Sequence, residues 1–177
     1  MTGGMTLVLD PFSWFKTPTI AKPSVTLAGT ETVSTGPLEW VAPGDFDHTS
    51  PHVGENMWIC KTDDVSRPGK YFRYADSGTG YCAHAFNWKE NLNTSGFKVL
   101  KTDVSGSENW VSEADWDRDS ATKIGSNGGF DMYICLAQSN EGEQPGKYYI
   151  DKSNNAACVY PLNGEPVDST EFKVLQR

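Results

Sequence analysis

The chain has 177 residues and carries 15 Lys and Arg against 23 Asp and Glu, a formal net charge of -8. That acidic balance, with no basic stripe anywhere, excludes the phosphate-binding surface expected of a nucleic-acid partner. No apolar run approaches the roughly 18 residues of a membrane-spanning helix, so no membrane span is predicted, and the length is enough to bury one or two cores.

Residues 1–37 differ in composition from the rest and are predicted to form an N-terminal arm or extra strands. Pro18, Pro23 and Pro37 bar a long helix, while Val25-Thr26-Leu27 and Thr30-Glu31-Thr32-Val33 suit short strands. Leu7, Leu9, Phe12, Trp14 and Phe15 are too apolar for a free tail. They are expected to dock on the domain, or to cross onto a second subunit in a homodimer. Lys16 is the first basic residue, and Leu7-Val8-Leu9 is far shorter than the core of a secretory signal. The expectation is a cytoplasmic protein, with secretion by a non-classical route as the alternative.

From residue 38 onward the chain is an internal repeat, residues 38–101 and 102–177. Trp40-Val41 returns as Trp110-Val111, Asp45-Phe46-Asp47 as Asp115-Trp116-Asp117, and Trp58-Ile59-Cys60 as Tyr133-Ile134-Cys135. Pro68-Gly69-Lys70 returns as Pro145-Gly146-Lys147, Cys82 as Cys158, and Phe97-Lys98-Val99-Leu100 as Phe172-Lys173-Val174-Leu175. Glu90 and Glu165 each stand seven residues before the closing Phe. Each copy reads as about four short strands. The Pro-Gly steps are expected to be turns, Pro presetting φ and Gly taking the positive φ that follows. Met132-Tyr133-Ile134-Cys135 is apolar on both faces and reads as a central strand. Cys82, His84 and Phe86 share an inward face with the counterparts Cys158, Tyr160 and Leu162. The two repeats are expected to pack as sheets in one compact, all-β unit.

The chemistry-bearing residues are sparse. Cys60/Cys82 and Cys135/Cys158 occupy equivalent places, so each pair either bridges on neighbouring strands or stays reduced in the core. Without an export signal the reduced state is favoured. Asp115, Asp117 and Asp119 resemble the start of a calcium loop, but Ser120 stands where Gly is needed and Ser126 where Glu should coordinate, which favours a solvated or turn-capping role. Pro51 between His48 and His52 spoils a metal-binding helical face, and Tyr160 opposite His84 in the repeat marks His84 as a core or rim residue. No metal site and no cofactor are predicted. No nucleophile elbow, zinc motif or phosphate loop is present, so the chain is read as a non-enzyme, with a glycosidase pair such as Asp117 and Glu165 the weakest reading.

The order Trp-Val, Gly-rich turn, Tyr-Ile-Cys-x-Ala, Pro-Gly-Lys, Cys-x-Tyr, Glu and Phe-x-Val-Leu resembles the DM9 repeat. That repeat is found in tandem in invertebrate proteins, in mannose-binding lectins of molluscs, and beside pore-forming modules in natterin-like toxins. The resemblance spans residues 39–175. Leu136, and Lys61-Thr62 in the first copy, depart from the usual Arg-Ala. What the resemblance implies is a lectin for mannose-type glycans in an innate-immune setting. It binds through the Pro-Gly-Lys lysines, Lys70 and Lys147, and an acidic partner from the Gly-rich turn. Asp131 and its equivalent Asn56 fill that place, with Glu90 and Glu165 as further site residues. A sugar's vicinal hydroxyls donate to a carboxylate and accept from an ammonium, and aromatic rings cover its C–H face. The alternative is an interaction or toxin-accessory module that binds no sugar.

Overall fold

A computed structural model describes residues 37–54, 56–119, 121–150 and 156–176, all within one compact unit, Val33–Arg177. The arm, apart from Pro37, lies outside the described residues, and so do its expected strands and docking. The described residues contain thirteen strands, no α-helix and three single-turn 3-10 segments, so the fold is all-β. In chain order the strands of the first repeat are β1 (Trp40–Val41), β2 (Trp58–Thr62), β3 (Pro68–Arg73), β4 (Gly80–Phe86), β5 (Lys89–Asn93) and β6 (Phe97–Leu100). Those of the second are β7 (Trp110–Ser112), β8 (Gly125–Asn127), β9 (Phe130–Ser139), β10 (Gly142–Ile150), β11 (Ala156–Leu162), β12 (Glu165–Ser169) and β13 (Phe172–Leu175).

Each repeat builds one antiparallel sheet, and the two sheets share an order. The first runs β1-β6-β2-β3-β4-β5 and the second β7-β13-β9-β10-β11-β12, with β8 added on β9. Four strands per copy is therefore an undercount. The short Trp-Val segment pairs with the closing Phe-Lys-Val-Leu strand, and the hairpin return after β4 and β11 makes a further strand that alternation in Lys89–Asn93 does not advertise.

The Pro-Gly steps are not turns. Pro68-Gly69 opens β3, and Pro145-Gly146 lies inside β10. Neither glycine has positive φ. Pairing of β3 with β4 begins at Lys70, and of β10 with β11 at Lys147, so the proline ahead has no ladder partner on that side and its missing N–H costs nothing there. Glycine is needed for another reason. A Cβ on Gly69 would lie 2.0 Å from the Ala83 carbonyl oxygen, and one on Gly146 would lie 2.7 Å from the Val159 carbonyl oxygen.

That close approach goes with a tight curl of the sheet. Cys60 on β2 bonds Cys82 on β4, and Cys135 on β9 bonds Cys158 on β11, leaving no free thiol. The reduced reading is overturned, and the bridged strands are not neighbours: each pair flanks the strand that carries Pro-Gly-Lys. In a flat sheet two strand spacings would separate the Cα atoms by roughly 9.5 Å. Here they are 5.9 Å apart in both bridges, so each sheet folds around the strand between them, β3 in the first and β10 in the second.

Three apolar clusters result. Ile59 and Leu100 of the first repeat meet Ile134, Leu136 and Leu175 of the second in a shared core between the sheets. On the opposite face of each sheet the disulfide lies among aromatic residues. Phe46, Trp58, Tyr71 and Phe97 surround Cys60–Cys82, and Trp116, Tyr133, Tyr148 and Phe172 surround Cys135–Cys158. The aromatic between two carboxylates is thus a lid on its own sheet. Its acids do turn work: Asp47 accepts the Thr49 amide and hydroxyl, and Asp117 accepts the Asp119 amide.

Candidate functional site

Alternation along β9 and β10 divides their side chains between the two faces. Tyr148 is paired with Tyr133 and faces the disulfide cluster, whereas Lys147 is paired with Ile134 and faces the other sheet. Lys70, paired with Ile59, does the same from the first sheet. Both lysines of the Pro-Gly-Lys motif therefore point between the repeats, where a long cation must find a polar partner or an opening.

They find different ones. Lys70 is 9% exposed, and its Nζ donates to Gln144 Oε1 at 3.3 Å. The space near it is closed by the loop between β11 and β12. Glu90 accepts the Gly164 amide through Oε2, and its own amide donates to the Gly164 carbonyl. Asn163 Nδ2 donates to Glu141 Oε1. Burial draws the Lys70 ammonium below its ordinary pKa, while Glu90 and Glu141 oppose that fall.

Lys147 instead stands at an open cavity of about 210 Å³. Its Nζ donates to the Ala85 carbonyl at 3.4 Å and lies 5.6 Å from the centroid of the Tyr149 ring. Asn87 and Trp88, at the tip of the β4–β5 hairpin in the first repeat, form one wall, and Asn127 and Asp168 of the second repeat contribute others. An adjoining cavity of about 190 Å³ shares Lys147, Tyr149 and Asn127 and adds Phe130 and Met132. Burial lowers the Lys147 pKa most, Arg67 adds to the fall, and the Asp168 carboxylate opposes it.

Strand register explains why the two lysines differ. Across the second sheet Lys147 pairs with Val159, and Val159 pairs with Asp168, so cation and carboxylate stand in one row on one face. The matching row in the first sheet is Lys70, Ala83 and Leu92, with no acid. The same registers correct the pairing of Glu90 with Glu165. Ala85 pairs with Glu90 and Pro161 with Pro166, so Glu90 corresponds to Pro166, and Glu165 corresponds to Lys89. Pro166 cannot donate the amide bond that closes the loop over Lys70, and its place by Lys147 stays open.

The remaining sequence-predicted residues are not gathered at this cavity. Asp131 shares a face with Tyr133, opposite to Lys147, and is ion-paired with Lys123 at 2.5 Å and Arg118 at 3.4 Å. Asn56 is an exposed turn residue with φ of 54°. Its turn is closed by the Val53 amide on the Met57 carbonyl, whereas in the second repeat the corresponding bond, Ile124 to Met132, encloses the Gly128-Gly129 hairpin that brings Asn127 to the cavity. Glu165 is exposed at the start of β12. His48 Nε2 lies 3.0 Å from the Tyr71 hydroxyl, and the His52 ring packs 4.5 Å from that of Trp58. Among the described residues no three His, Cys, Asp or Glu side chains gather to hold a metal ion. Ser120 of the acidic loop is outside them.

Asp168, Asn87, Asn127 and Trp88 are the site residues that sequence reasoning missed. Asp168 was accessible only by counting register through two hairpins. The signal for Trp88 was its place beside Asn87 at a turn where the other copy has Asn163-Gly164.

No family model matches the sequence, and no curated protein matches it. Among solved structures, the crystal structure of the nematode sperm cell motility protein MFP2B is similar, with a TM-score of 0.53 at 16% identity. The match covers 78% of this chain and 43% of that one, so the present chain spans less than half of its neighbour's length, and the likeness is one of fold.

Proposed function

We propose that this protein binds carbohydrate, as a lectin of the tandem DM9 type with mannose-type glycans as its ligands. The observation that carries the reading is the row Lys147–Val159–Asp168 at a cavity walled by Asn87, Asn127 and Tyr149. An ammonium and a carboxylate on one face, flanked by two side-chain amides, offer donors and acceptors in the mixture that adjacent sugar hydroxyls require. The cavity is smaller than the 300 Å³ or so of a typical drug-sized pocket, a scale that suits one sugar ring. The order and duplication of the Pro-Gly-Lys and Tyr-Ile-Cys motifs add support. Of the six residues first assigned to the site, Lys147 is retained, and Asp168 takes the acidic role given to Asp131. The two disulfides favour an oxidising setting, hence secretion over a cytosolic location.

A glycan array followed by calorimetry tests this. Mannose-terminated glycans should bind, and Lys147→Met should weaken binding about tenfold or more. A charged hydrogen bond contributes roughly 1.5–3 kcal/mol, and every 1.4 kcal/mol is tenfold. Lys70→Met, placed in the closed copy, should leave affinity unchanged. A blank array from the folded protein would overturn the lectin reading and favour a module that recognises other partners.

A further inference from the structure

The hairpins β4–β5 and β11–β12 have the same two-residue turn, with both central residues at positive φ. In the second repeat these are Asn163 at 52° and Gly164 at 88°, the Asn-Gly pair such turns select. In the first they are Asn87 at 51° and Trp88 at 60°. A bulky side chain at that φ is strained, and glycine in the sister hairpin shows what local chemistry would choose. Burial does not compensate, because Trp88 is 83% exposed, the most exposed of the large apolar residues described. Neither turn geometry nor packing accounts for an indole here.

Its position does. Trp88 stands on the wall of the Lys147 cavity, across the repeat boundary from the polar row, with Tyr149 also lining the space. Asn91 Nδ2 donates to the carbonyls of Phe86 and Lys89, bracing the hairpin that carries the ring. We infer that Trp88 is the stacking platform and specificity-determining residue of the site, covering the apolar C–H face of a pyranose whose hydroxyls meet Lys147 and Asp168. This rests on the sugar-binding reading of the cavity. It adds that the binding site is made by both repeats, the first supplying the ring and the second the charges. Rings with a continuous C–H face are selected, and acyclic polyols carrying the same hydroxyls are rejected, because an indole face has nothing to hold in a flexible chain.

The experiment is calorimetric titration of the full chain with methyl α-mannoside and with mannitol, for wild type, Trp88→Gly and Trp88→Phe. Wild type should bind the mannoside at least tenfold more tightly than the polyol. Trp88→Gly restores the sister Asn-Gly turn, so its melting temperature should be equal or higher, while mannoside affinity falls tenfold or more and the preference over mannitol disappears. Trp88→Phe should recover most of both. Mannoside affinity unchanged within twofold in a folded Trp88→Gly protein would overturn the inference and leave the sugar reading standing. No binding of either ligand by wild type would overturn both.

Discussion

The two repeats share strand order, disulfide placement and an inward-facing lysine, yet one lysine is sealed and the other opens on a cavity. The difference comes from few positions: Leu92 against Asp168, Glu90 against Pro166, and a tight turn at Met57 against the longer Gly128-Gly129 hairpin before Met132. None of these lies in the shared motif. A duplicated scaffold can thus keep one copy's lysine for packing while loop and edge positions leave the other's open on a cavity, because edges tolerate change that the curled centre does not.

The curled centre is where the comparison breaks most violently. Ala at position 69 would place its Cβ 2.0 Å from a backbone oxygen, and Ala at position 146 would place it at 2.7 Å. Neither carbonyl moves without disturbing the strand pairing on which the disulfide depends. Gly69→Ala should therefore cost more than the 1–3 kcal/mol or so of ordinary overpacking, and Gly146→Ala should fall within or just above that range. Chemical denaturation of both variants checks the ranking. Equal midpoints would show that the closer carbonyl at position 69 is no harder to accommodate than the one at position 146.

Next in size are the bridges. Each closes a loop of similar length, with sequence separations of 22 and 23, so loop entropy predicts about 3 kcal/mol for either. Ser in place of both Cys135 and Cys158 should lower the melting temperature by roughly 10 °C and also weaken ligand binding, since Lys147 sits on the strand that the bridge spans. The Cys60 and Cys82 double substitution should cost similar stability and weaken binding less, because the first repeat lends the cavity only the end of β4 and its hairpin, beyond the bridge. If both affect binding alike, the hairpin that carries Trp88 depends on its bridge as much as Lys147 does on its own.

Much of this was legible in the sequence where the two copies agree. Equivalent cysteines, the inward His84/Tyr160 face and the equivalence of Lys70 and Lys147 all follow from alternation and the repeat. The Pro-Gly steps were misread because local propensity favours a turn, and only the neighbouring strand's carbonyl reveals the need for a missing Cβ. Glu90 and Glu165 were misaligned because the two copies differ by one residue between the hairpin and the closing Phe. Asn93 precedes Phe97 by four residues and Ser169 precedes Phe172 by three. Counting back from the Phe carries that offset into the hairpin, whereas counting from the cysteine through the register does not.

The smallest expected effect separates the repeats by pH. His84 is 4% exposed, its Nδ1 has no hydrogen-bond partner, and its counterpart Tyr160 has a pKa raised chiefly by burial. Burial is also the main cause that brings His84 down to about 4. Arg67 and Lys147 push the same way, and Asp64 opposes them. A depressed pKa means that the unfolded chain takes up a proton first as pH falls below about 6.5, so the stability tied to neutral His84 is present above that value and is lost as pH drops toward 4. Between pH 7 and pH 5 the loss amounts to about 2 kcal/mol. His48 titrates with the same sign, its pKa lowered first by burial, so the wild-type slope contains both. Denaturation at the two pH values in wild type and His84→Gln isolates the share of His84, because the variant should lose only the smaller His48 part. A variant with the full wild-type slope would show that the first repeat's buried histidine does not set its acid sensitivity.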